Sequence, residues 1–201
     1  MSELRVTVIP VGKVDAAEVE AAASRVSKVL HRPLELREAA GLPRGTEDVD
    51  RGQHDAKKLM NLLRADLPRL KVARLVGTPP TEAVPLAAPS PDAVIFVTDV
   101  DLFLPGTVGV SSDYEIPRRV AILSVRRLRE AFYKRKADPA KQRARVAKEL
   151  LRLIGRLSGA AECRDPRCAL APVGALADLD LRQEKYCAAC WRRLSTGVVR
   201  F

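Results

Sequence analysis

The chain has 201 residues, enough for one domain with a sizeable core and room for a small appended lobe. Its 35 Lys and Arg against 25 Asp and Glu give a formal charge of +10, which favours acidic partners, nucleic acid included, without choosing among them. Four Phe, three Tyr and one Trp offer no stacking platform for single strands, and neither a membrane-length apolar run nor a charged-then-apolar leader is seen. A soluble cytoplasmic protein is the expectation.

Residues 4–11, LRVTVIPV, alternate around β-branched side chains and predict a first strand. Asp15 then caps a helix that carries Val19, Ala22, Ala23, Val26 and Leu30 at helical spacing, with His31 at its end. PLELRE from Pro33 reads as a second short strand. After a loop rich in Gly, Pro and acids, RGQHDAKKLMNLLRADL predicts a helix with Leu59, Leu62, Leu63 and Leu67 inward and His54 at its start. Neither histidine is in a ligand-like setting. The Pro-rich stretch 77–91 predicts an exposed loop.

Ala93 to Val97 is a continuous apolar run, as in a buried central strand. Asp99 and Asp101 follow, and read as turn residues that cap backbone groups rather than as acid catalysts. An edge strand is expected over 107–112, a further strand over 118–124, and helical turns in VRRLREAFY. Asp138-Pro139 is an N-cap followed by proline at the first helical position. It predicts a long amphipathic helix to about Ser158, with Arg145, Lys148, Arg152 and Arg156 on one stripe.

All four cysteines follow, as Cys163-x₄-Cys168 and Cys187-x₂-Cys190. Two short-spaced pairs joined by a loop are what a closed tetrahedral zinc site needs, so one structural zinc is expected on them. Two disulfides or free thiols are the alternative, and disulfides fit an oxidising compartment better than this chain.

The segment RLIGRLSGAAECRDPRC resembles the archaemetzincins, zinc metalloproteases of the metzincin clan with the signature H-E-x-x-H-x-x-G-x-x-H-C-x₄-C and a methionine soon after. Gly155 and Gly159 fall on the family's glycines, and YCAACWRRL resembles its closing Cys-x₂-Cys segment. Arg51-Gly52-Gln53, TDVDLFLPG and the 118–124 strand are similar to family segments too. The resemblance implies a metzincin-like α/β fold: a twisted mixed sheet on two long helices over residues 1–158, and a small zinc-bound lobe over 159–201. It also places Arg152 at the first zinc histidine, Leu153 at the general-base glutamate, Arg156 at the second histidine, Glu162 at the third and Leu170 at the methionine. Guanidiniums do not ligate zinc. The expectation is therefore a catalytically inactive pseudoprotease that keeps one structural zinc and has a residual cleft for peptide or protein. Glu162 is expected to pair with Arg152 or Arg156 there. An active peptidase using other ligands and a basic nucleic-acid-binding module are the alternatives; the sequence leaves the oligomeric state open.

Overall fold

The computed structural model describes residues 4–77 and 92–195; the loop expected over 77–91 lies, from residue 78 on, outside that range. Strand β1 is Val6–Val11 and helix α1 is Ala16–Leu30, with the Ala17 amide donating to Asp15 Oδ1 at 2.9 Å. His31 closes α1 in the left-handed region at φ 53°. Its ring meets Trp191 edge-on. Strand β2 is Leu34–Arg37, β3 is Glu47–Asp48 and β4 is Gln53–Asp55. Helix α2 therefore starts later than its sequence suggests, at Ala56, and runs to Asp66. A three-residue strand shows no periodicity, so nothing in RGQHD marks it. Leu59, Met60 and Leu63 define the buried stripe of α2, and Leu62, on its flank, is 39% exposed rather than inward.

Strands β5 (Val72–Val76), β6 (Ala93–Thr98), β7 (Leu102–Phe103), β8 (Ser112–Glu115) and β9 (Val120–Ser124) complete the strands. The main sheet runs β5-β2-β1-β6-β9-β8. Its four inner strands are parallel and both edge strands antiparallel. Parallel neighbours need crossovers, which cover both faces and bury the inner strands, so the polar side chains of β2, Glu35 and Arg37, are paired with each other and Glu35 with Thr7. Helix α1 and helix α3 (Pro139–Leu157) pack on one face, against Val8, Ile95, Val97 and Leu123. Helix α2 packs on the other, against Ile9, Val94, Phe96 and Ile122. The edge strand is Ser112–Glu115 and not the 107–112 stretch, which loops past Gly109.

Helix α3 begins as the sequence predicts, with the Lys141 amide donating to Asp138 Oδ1 at 2.9 Å. It ends where Gly159 turns left-handed at φ 86°, letting Ala160 N reach Gly155 O at 2.9 Å. The chain beyond folds back under α3 with two short helices, α4 (Leu176–Leu181) and α5 (Ala188–Ser195). Its buried residues, Leu170, Leu179 and Tyr186 among them, share one apolar cluster with α1 and α3. No helix among the described residues is long and apolar enough to cross a membrane.

Gly155 sets the distance between α3 and this returning chain. A Cβ there would lie 2.6 Å from Leu170 Cδ2 and 3.3 Å from the hydroxyl of Tyr186. That hydroxyl already donates to Leu151 O at 2.6 Å. Gly155→Val should therefore destabilise the protein by about 1–3 kcal/mol through overpacking, measured by urea unfolding. An unchanged midpoint would show that the contact yields freely.

Candidate functional site

The C-terminal lobe brings all four cysteine sulfurs within 4.8 Å of one another. Each pair sits on a tight turn. In the first, Cys168 N donates to Asp165 O at 3.1 Å and Arg167 N to Asp165 Oδ1 at 2.9 Å. In the second, Cys187 enters α5, its carbonyl accepting from Trp191 N at 2.8 Å. Two backbone bonds hold the turns together, Ala169 N to Lys185 O and Gln183 N to Arg167 O. Cys163 Sγ and Cys187 Sγ are 3.7 Å apart. That suits the edge of a tetrahedron with metal–sulfur bonds of about 2.3 Å, an edge of roughly 3.8 Å. All four cysteines are free thiols. The Cys187 amide also donates to Cys168 Sγ at 3.3 Å, a bond that favours the thiolate. The backbone amide of Cys190 holds the Cys187 thiol below the usual range, whereas burial pushes Cys168 and Cys190 up. The donor set and its spacing fit a structural zinc.

The second feature is the stripe on α3. Arg145 is fully buried, its Nε and Nη2 donating to Asp180 at 2.7 Å each, Nη2 also to Glu130 Oε1 at 2.6 Å and Nη1 to Leu128 O at 2.8 Å. Lys148 Nζ donates to Leu179 O and Asp180 O, both at 3.1 Å. Arg152 donates to Glu149 through Nε and Nη2 at 3.1 Å, and to Ser112 Oγ at 2.6 Å. Arg156 Nε reaches the Tyr114 hydroxyl at 3.0 Å, and its Nη1 bonds Ala160 O. The stripe expected from the sequence is thus one line of buried or half-buried cations, held by acceptors from the edge strand and the returning lobe.

Glu162 is not the partner of either arginine. It is exposed at the mouth of the cleft, and among the described residues the carboxylate that pairs with Arg152 is Glu149. Glu149 also accepts from Arg182 Nη1 at 2.9 Å. Burial alone would raise the Glu149 carboxyl, but Arg152 and Arg182 hold it below the usual range. The reason Glu149 wins is reach: it lies one turn before Arg152 on a rigid helix, whereas Glu162 follows the glycine turn. Its i, i+3 spacing from Arg152 is the sequence signal that identifies it.

The paired aspartates separate as well. Asp101 is no backbone cap; it accepts from Arg127 Nε and Nη2 at 2.6 and 2.9 Å and from Gln53 Nε2 at 2.8 Å. The turn is capped instead by Thr98 Oγ1, which accepts from Val100 N. His54 is buried in β4 against Thr46 Oγ1 at 2.8 Å, and burial lowers its pKa. A cavity of about 390 Å³ runs between the 109–112 loop, Arg127, Arg152, Glu162 and the lobe segment 172–176. Neither histidine lines it.

The model of peptidase family M54 matches residues 92–196, just over half of the chain. The chain belongs to peptidase family M54. The archaemetzincin of Methanocaldococcus jannaschii is 30% identical over 103 residues, 51% of this chain and 58% of that protein. The matched stretch thus spans little more than half of that relative. The archaemetzincin of Saccharolobus solfataricus is 23% identical over 198 residues, 96% of this chain and 94% of its own. Among solved structures, a zinc-dependent peptidase from Methanocorpusculum labreanum superimposes with a TM-score of 0.76 at 24% identity, covering 94% of this chain and 99% of that one. The archaemetzincin of Methanopyrus kandleri gives a TM-score of 0.70 at 24% identity over 98% and 97%. These likenesses show the M54 fold, the mixed sheet with its long helices.

At the positions that the sequence resemblance matches to the first two zinc ligands stand two engaged guanidiniums, Arg152 with Glu149 and Ser112, Arg156 with Tyr114 and Ala160. Leu153, which the resemblance matches to the general base, is fully buried in the apolar core. Leu170, which it matches to the methionine, packs beneath Gly155. These residues do not fit a catalytic zinc, because a guanidinium has no lone pair to give a metal.

Glu149→Gln leaves two buried guanidiniums without their anion, so a loss of about 3–5 kcal/mol is expected. The Glu149 carboxyl titrates lower in the folded chain than in the unfolded one. Its contribution is therefore present above the unfolded value and lost as pH falls through the folded one. The stability gap between wild type and E149Q should accordingly be constant near neutrality and narrow below about pH 4. Paired unfolding curves across that range read this directly.

Proposed function

We propose that this chain is a non-catalytic member of family M54 that keeps a structural zinc and offers its residual cleft to a peptide. One observation carries the reading: the positions matching the zinc ligands hold Arg152 and Arg156, both locked into other bonds. Hydrolysis by zinc needs three protein ligands, an open position for water and a carboxylate to take its proton. Glu162 alone would have to hold the metal against two cations, and Leu153 takes no proton.

The zinc belongs to Cys163, Cys168, Cys187 and Cys190, whose sulfurs are close enough to share one ion. There it organises the lobe, which we assign to residues 159–201 beside a larger unit over 1–158. The metal would do no chemistry on substrate. The peptide-binding part of the reading is supported by the cavity and by β8, an edge strand with one side unpaired in the main sheet.

Metal analysis of the purified chain should give one zinc per chain, and peptide cleavage sensitive to chelation should be missing. Cys187→Ser should lower the zinc content and loosen the lobe, seen as faster amide exchange around Leu170 and Tyr186. In small zinc modules such a site supplies about 10–16 kcal/mol of apparent binding energy. The combination Arg152→His, Leu153→Glu, Arg156→His and Glu162→His should bring a second zinc if the scaffold is intact. A second equivalent in the natural protein, or chelator-sensitive peptidase activity, would overturn the reading.

A further inference from the structure

The cleft has an unbalanced charge. On its floor a single buried carboxylate, Glu149, faces two guanidiniums, Arg152 at 3.1 Å and Arg182 at 2.9 Å. The side chains of Arg182 and Glu149 are 0% and 4% exposed, so water does little to screen the excess. Lys148, just N-terminal on the same stripe, is buried on carbonyl oxygens and is faced by the Asp180 and Glu184 carboxylates, so it stands outside this imbalance. Opposite, Arg127 is balanced by Asp101. Arg182 Nε is also buried without an acceptor among the described residues.

Both cleft arginines have donors left over. Arg152 uses Nε and Nη2 on Glu149 and Ser112, and Arg127 uses Nε and Nη2 on Asp101 and Val108 O. Among the described residues no hydrogen-bond acceptor meets Nη1 of either. Both side chains line the same cavity and are held rigid: Arg152 by Glu149, Arg127 by Asp101 and by the bare backbone of Gly109, where a Cβ would collide with the guanidinium.

We infer that the cleft binds a carboxylate between Arg152 and Arg127, supplying the negative charge that Glu149 alone does not. This deepens the proposal of a non-catalytic, peptide-binding cleft and rests on it. A single negative charge answers the local excess of one, whereas a phosphate dianion would overshoot beside Glu149, Asp101 and Glu162. Guanidinium N–H pairs also match the planar, two-oxygen shape of a carboxylate. The cavity is larger than a bare carboxylate needs, and Leu128, Val110, Leu176 and Leu179 give it an aliphatic wall. The carboxylate has two sources: a free small acid, or the C-terminus of a peptide with an aliphatic last residue.

Calorimetry on the zinc-loaded full chain separates them, using N-acetyl-Ala-Ala-Leu with a free C-terminus, the same peptide amidated, and sodium acetate. The free-acid peptide should bind at least tenfold tighter than the amide, with acetate competing. Tight acetate binding with no gain from the peptide would assign the site to free acids. Arg152→Gln and Arg127→Gln should each abolish the preference, and circular dichroism shows whether they fold. Glu162→Gln, a change at an exposed position, does not depend on that: removing a negative charge from the mouth should tighten the free acid a few-fold and leave the amide unchanged. Equal binding of acid and amide overturns the carboxylate while sparing a peptide cleft. Binding of neither probe overturns both, and leaves the one-zinc expectation standing. An E162Q variant that binds the acid no better places the anion elsewhere and also overturns the inference.

Discussion

The Glu149 carboxylate is the interaction on which this structure turns. Four groups meet it: Arg152 on its own helix, Arg182 from the lobe, Ser112 from the edge strand and, through the shared arginine, the Tyr114 ring. Removing a charge from such a centre leaves the others buried and unpaired, which is why ion clusters in interiors are costly to break. Helix α3 could not bury so many cations by itself. It does so because acceptors arrive on every side, from the strand at one flank and from the lobe beneath.

Two devices attach the lobe to the body. One is apolar, with Leu170, Leu179 and Tyr186 joining the cluster under α3. The other is polar, with Asp180 taking Arg145 and the 179–180 carbonyls taking Lys148. The cysteine centre belongs to the same apolar cluster, with Cys168 and Cys190 buried in it. A short, loop-rich tail buries little surface by itself, so a metal on its cysteines, as proposed, and the ion pairs at the boundary would divide the task. Arg152 and Arg156, which the sequence resemblance matches to two metal ligands, belong to this polar set. The geometry is unchanged: residues four apart on a helix still face the same way.

What the sequence reveals depends on how local the cause is. The cap and start of α3 are written in Asp138-Pro139, and the central strand in the unbroken run from Ala93 to Val97. Cysteine spacing gives the cluster because a tetrahedral site constrains spacing so tightly. Other features are settled by distant partners. Arg145 reads as one more surface arginine until Asp180, 35 residues later, is placed beside it. Asp101 reads as a turn residue until Arg127 comes round. The edge strand begins a few residues later than its sequence suggests, because Gly109 serves the arginine lying on it and not a ladder. The anion beside Arg152 is Glu149 and not Glu162, since a motif position says nothing about which carboxylate sits closer.

The dependence of α3 on the returning lobe has a consequence for synthesis. When residue 157 has left the ribosome, the strands of the main sheet and the full length of α3 are already made. Glu130 and the Leu128 carbonyl are there for Arg145, but Asp180, its other acceptor, and the 179–180 carbonyls that hold Lys148 are not. Until those last segments emerge, the helix carries half-satisfied cations on the face that must enter the interior. The final few dozen residues are thus a late-arriving lock, and a chain stopped short of Leu179 would have its long helix on the sheet without the groups that complete its polar stripe.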